Sequence, residues 1–141
     1  MQYDQLHTLE SICKRISLNI PENCPWRWDK NLNLAIAVIS RKDEIMVGLP
    51  LSLEFSYQWD FFTIDNADTA VRDYFQTGFG VMPGQKLFVQ DPVNGVVLFA
   101  AWWPWGDDER ISIRLGLISI TNEKIQQEDV KRLMCKWLNI K

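Results

Sequence analysis

The chain has 141 residues, a length that fits one domain. Hydrophobic residues make up 47% and charged residues 23%, ordinary proportions for a protein with a packed core. The net charge of −3 argues against a phosphate-binding surface, and so against nucleic acid as a partner.

The opening residues, MQYDQLHTLE, lack a basic start and an apolar run. No secretory leader is therefore expected, and a cytoplasmic location is. No apolar run approaches the ~20 residues that span a bilayer, so no membrane is expected as a partner. Residues 3–16 predict a helix, with Leu6, Leu9, Ile12, Cys13 and Ile16 at helical spacing. Pro21 stops it. The stretch SLNIPENCPWRWDKNLN (17–33) then predicts an irregular linker, either functional or pinned down by Trp26 and Trp28.

LAIAVIS (34–40) is continuously apolar, as a strand covered on both faces would be. RKDE predicts a turn and IMVGL a returning strand. In LPLSLEFSYQWDF (49–61) large apolar residues alternate with small or polar ones, which predicts a long strand with a bend at Pro50. Asp65 is a good N-cap for a helix through Thr77, buried through Ala67, Ala70, Val71, Tyr74 and Phe75. GFGVMPG (78–84) would end it.

A three-stranded meander follows: KLFVQ, VVLFAAWW and ISIRLGLIS. Asn94-Gly95 is the preferred pair for a type I′ turn between the first two strands. In the third strand Ile111, Ile113, Leu115 and Leu117 should point inward, with Ser112, Arg114 and Gly116 outward. Thr121 or Asn122 could cap a last helix, buried through Val130, Leu133, Met134, Trp137 and Leu138. The expected fold is one α+β domain over 1–141. It has a mainly antiparallel sheet of five to six strands and three helices, in the order α-β-β-(β)-α-β-β-β-α.

Chemistry is sparse in this pattern. His7, the single histidine, has no predicted nucleophile or orienting partner. Cys13, Cys24 and Cys135 form no CxxC pair and fail the usual zinc spacings, so neither a disulfide nor a metal site is expected. GFGVMPG has the wrong glycine spacing for a nucleotide loop and follows a helix instead of opening one. Asp107, Asp108 and Glu109 lack the facing geometry of a glycosidase pair and the spacing of a calcium loop. No cofactor is expected, nor an enzyme.

The distinctive stretch is VLFAAWWPWGDDE (97–109), where Trp102, Trp103 and Trp105 adjoin three acids. Both faces of the strand before them are apolar, yet the following strand is polar on one face. Two readings stay open. Either the strand is buried on both sides, or its tryptophans form a partner-binding patch with an acidic rim. Trp26 and Trp28 suit the same role.

The stretch LESICKRISLNIP (9–21) is similar to the first helix and short exit of the small cytosolic chaperones of type III secretion systems. LFVQDPVNGVVLFAAWWPW (87–105) is similar to their late hairpin. In element order the chain resembles that family. The resemblance implies a bacterial, dimerising protein that holds an extended segment of a secreted effector. The extra strand ISIRLGLIS and the seven tryptophans depart from the pattern.

The expected function is thus a non-enzymatic module for one cognate protein, a secreted effector or a toxin. As an immunity protein its acids would meet a basic toxin. A small-ligand or carbohydrate binder, stacking sugars on Trp102 or Trp105, is the alternative from another class.

Overall fold

The computed structural model describes residues 6–77, 80–121 and 125–141, the side chain of Thr77 excepted. The start of the first predicted helix, Gly78 and Phe79 of the glycine stretch, and Asn122 as a cap lie outside the described residues. The fold is a single α+β domain. Its strands are β1 (Arg27–Asp29), β2 (Leu34–Ser40), β3 (Tyr57–Asp60), β4 (Lys86–Val89), β5 (Val96–Pro104) and β6 (Arg110–Ser119). All pairings are antiparallel, in the order β1-β2-β6-β5-β4-β3. The helices are α1 (His7–Ser17), α2 (Glu44–Glu54), α3 (Thr69–Thr77) and α4 (Gln127–Leu138), one more than expected. No described helix is long and apolar enough to cross a membrane.

Side-chain alternation on β5 builds two cores. Val96, Leu98, Ala100 and Trp102 point to the face covered by α1, α2 and α4. Val97, Phe99 and Ala101 point to the face covered by α3, through Val71 and Phe75. The strand is continuously apolar because it is buried twice. Gly116 stands directly opposite Phe99. A Cβ there would lie 2.5 Å from Phe99 Cζ, so only glycine leaves room for the ring. Asn94 and Gly95 both take positive φ, 51° and 76°, as the type I′ turn requires.

The long alternating strand expected over 49–61 is corrected: Glu44–Glu54 is a helix, and only Tyr57–Asp60 is strand. The run predicted as a returning strand, IMVGL, lies in the same helix. Its residues are apolar nearly all round, so they satisfy both periods. The helix buries Val47 and Leu51, four apart, and leaves Ile45, Leu49 and Leu53 on the outside. The Ser40 side chain accepts a bond from the Lys42 amide and starts a short 3₁₀ turn that leads into it. Pro50 is accommodated inside the helix, at a cost of about 3 kcal/mol relative to alanine.

Three other boundaries moved. The expected linker contains β1, whose turn to β2 is closed by Asp29 Oδ1 accepting from the amides of Asn31 and Leu32, both at 2.9 Å. Asp65 caps no long helix; it lies in a single 3₁₀ turn, and α3 starts at Thr69. Helix α4 starts at Gln127, beyond Thr121, and ends on Asn139 in the left-handed region. On the helical side α1 touches both α2 and α4. Arg15 of α1 pairs with Glu54 of α2.

Candidate functional site

The three clustered tryptophans go to three environments. Trp102 is 6% exposed and packs under α2, where a Cβ on Gly48 would lie 3.0 Å from its Cη2. For this residue the core reading holds. Trp103, the next residue, projects to the opposite face beside Ser112. The Arg114 guanidinium lies over it, 3.9 Å from the ring centroid. Burial pushes the Arg114 pKa down while the Asp29 carboxylate pushes it back up. Its Nε is buried without a hydrogen bond, so the ring face is its main compensation. Trp105 follows the end of β5, 39% exposed, with Arg110 4.2 Å from its centroid.

The second face is therefore half covered. Helix α3 lies over the Phe99 end and Arg114 over the Trp103 end. Ser112, expected to point outward into water, is buried.

The acids form a built turn. Asp107 Oδ1 accepts from the amides of Glu109 at 2.9 Å and Arg110 at 3.2 Å; its Oδ2 accepts from Arg110 Nε at 2.7 Å. The Glu109 amide, then the Arg110 side chain, holds the Asp107 carboxyl below the usual range. Asp108 takes a positive φ of 60° and lies 3.2 Å from Arg41 Nε, an ion pair without hydrogen-bond alignment. The Arg41 amide donates to the Glu109 carbonyl at 2.8 Å, and Arg41 also reaches Glu44 at 3.4 Å. The acidic loop is thereby fastened to the start of α2.

Trp26 and Trp28 stand elsewhere. They flank and occupy β1, three strand spacings from β5, or about 14 Å. Trp26 Nε1 donates to Ser17 Oγ at 3.0 Å. Both rings pack one side against the core and turn the other to an open cleft of about 910 Å³ between β1 and α4.

The surface that sequence reasoning missed is the outer side of α2. Ile45, Leu49 and Leu53 are 76%, 57% and 79% exposed, and Met46 is 50% exposed beside them. The available signal was compositional: IMVGLPLSL holds more apolar residues than one face of one element can bury.

His7 is exposed on α1. Among the described residues no group of three or more His, Cys, Asp and Glu could hold a metal ion. Burial, with Glu10 nearby, raises the Cys13 thiol pKa far above its ordinary value. Burial also raises those of Cys24 and Cys135, which are only half-buried. Since the thiolate is the nucleophile, Cys13 should stay unlabelled by iodoacetamide at pH 8 until denaturant is added. Peptide mapping of the native protein should find label on Cys24 and Cys135 alone, and labelled Cys13 would contradict this packing.

No family model, curated protein or solved structure matches this chain.

Proposed function

We propose that the chain is a non-enzymatic module that holds one cognate protein, with α2 as its main contact. The observation that carries this is the stripe Ile45, Leu49 and Leu53, spaced like one face of a helix yet turned to solvent. Contiguous apolar surface of this kind is uncommon on monomers and marks interaction sites. Two acids flank it, Asp43 at its start and Glu109 in the loop fastened alongside, while Glu44 and Asp108 are paired with Arg41. The matching occupant is an apolar segment with basic flanks, laid into the surface by i, i+4 and i+8 anchors. A secreted effector segment held by a chaperone-like protein has this character. The immunity reading draws less support, because Asp107 and Asp108 already face Arg110 and Arg41 of their own chain.

The test is the triple variant Ile45→Gln, Leu49→Gln, Leu53→Gln. Each site is exposed, so stability should change by no more than about 0.5 kcal/mol per substitution. Capture of the cognate protein, identified by mass spectrometry and confirmed with the purified pair, should be lost. A variant that binds as well as the parent overturns the assignment to α2. A dimer of the parent that the variant abolishes, read by light scattering, would give the stripe to self-association instead.

A further inference from the structure

The cleft between β1 and α4 has the opposite chemistry to the rest of the surface. In a chain of net charge −3 it gathers Arg27, Lys30, Lys131, Arg132 and Lys141, with Glu128 as the one acidic side chain among the described lining residues. Lys131 and Arg132 stand in the middle of α4, so the helix dipole, which favours cations in the last turn, does not account for them. Among the described residues Arg132 alone of these five cations has an ion pair, to Asp129 at 3.5 Å. Trp26 and Trp28 supply a flat apolar floor to the same cleft. β1 is the last strand on its side of the sheet, so among the described residues its outer edge has no strand partner.

We propose that this cleft takes an acidic, extended polypeptide segment, which adds as a strand beside β1. Main-chain bonds to the free edge would hold the backbone, and alternate side chains would fall on opposite sides. Carboxylates fall on the α4 side, where Lys131 and Arg132 stand beside the tryptophans, and the alternate residues fall on the side of Arg27. Basic residues with aromatics also suit single-stranded nucleic acid. The charge balance favours the peptide: a long polyanion would extend beyond the cleft into an acidic field, whereas a short acidic segment meets only the basic patch. The proposal does not rest on the α2 reading, because α1 separates α2 from α4.

The experiment uses the full chain and a fluorescein-labelled peptide of alternating Glu and Val. The controls are its Lys-Val counterpart, an N-methylated copy of the Glu-Val peptide, and a ten-residue thymidine oligonucleotide. The Glu-Val peptide should bind, weaken at least tenfold in Lys131→Glu, Arg132→Glu, and weaken at least tenfold on N-methylation. The α2 triple variant should bind it as the parent does, which separates failure here from failure of the α2 reading. Arg27→Glu gives a second variant should the α4 pair perturb folding. No binding of the Glu-Val peptide at millimolar concentration overturns the proposal. So do equal affinity for the Lys-Val peptide, indifference to N-methylation, or tighter binding of the oligonucleotide.

Discussion

Replacing Trp102 with alanine should destabilise the protein by about 3–5 kcal/mol, the range for removing a buried large aromatic. Its ring fills the space between β5 and α2, with Gly48 close against it, so α2 has nothing to collapse onto when it goes. Trp105→Ala should cost about 1 kcal/mol or less, because that ring is part exposed and covered only by Arg110. Urea unfolding of the two variants decides the matter. Similar losses in both would mean that the cluster acts as one unit, against the three environments seen. Weaker partner capture by Trp102→Ala would then report lost folding and not a lost contact.

Gly116→Ala is the second substitution with a large expected effect, although it adds one methyl group. The new Cβ would sit 2.5 Å and 2.7 Å from two ring carbons of Phe99, and 3.4 Å from Leu34 Cβ. Phe99 and Leu34 are fully buried, and Phe99 is hemmed in by Tyr74 and Phe75. The ring cannot turn away, so overpacking of about 1–3 kcal/mol follows. Shortening the opposing ring with Phe99→Leu should relieve it. The double variant should be more stable than the sum of the two single losses predicts, by about 1 kcal/mol. Strict additivity in denaturation would show that the glycine and the ring do not meet.

The residues differ in how openly they announce their structure. The stripes of α1 and α4, the two apolar faces of β5, the inward residues Ile111, Ile113, Leu115 and Leu117 of β6 and the Asn94-Gly95 turn were all legible, because each is a strong local pattern; that Ser112 and Gly116 of β6 are also buried was not. Helix α2 was not. Leu49, Leu51 and Leu53 fit a strand's period, and only packing chooses Val47 and Leu51 as the buried pair. β1 is three residues long, too short for a period. The site was less legible than the fold. Trp102 and Trp103 are neighbours in sequence, but strand geometry sends them to opposite faces. What covers Trp103 is Arg114, eleven positions later and placed by the β5–β6 register. That Asp107 would be spent on Arg110 follows from the turn itself, but that Asp108 would meet Arg41 depends on where β2 ends beside β6.

The strand order has a bearing on how the chain is made. β1 pairs with the adjacent β2, but β2 waits for β6, as in the pairing of Ala35 with Leu115, and β3 waits for β4. The hairpin of β5 and β6, at the sheet's centre, is synthesised after β1 to β4 and after three of the four helices. Until then the nascent chain carries an apolar β2 and a nearly all-apolar α2 with no sheet to rest on. Pairings of this span are slow to close and leave such segments open to misassociation. The interval between synthesis of β2 and of β6 is thus when this protein depends most on its surroundings.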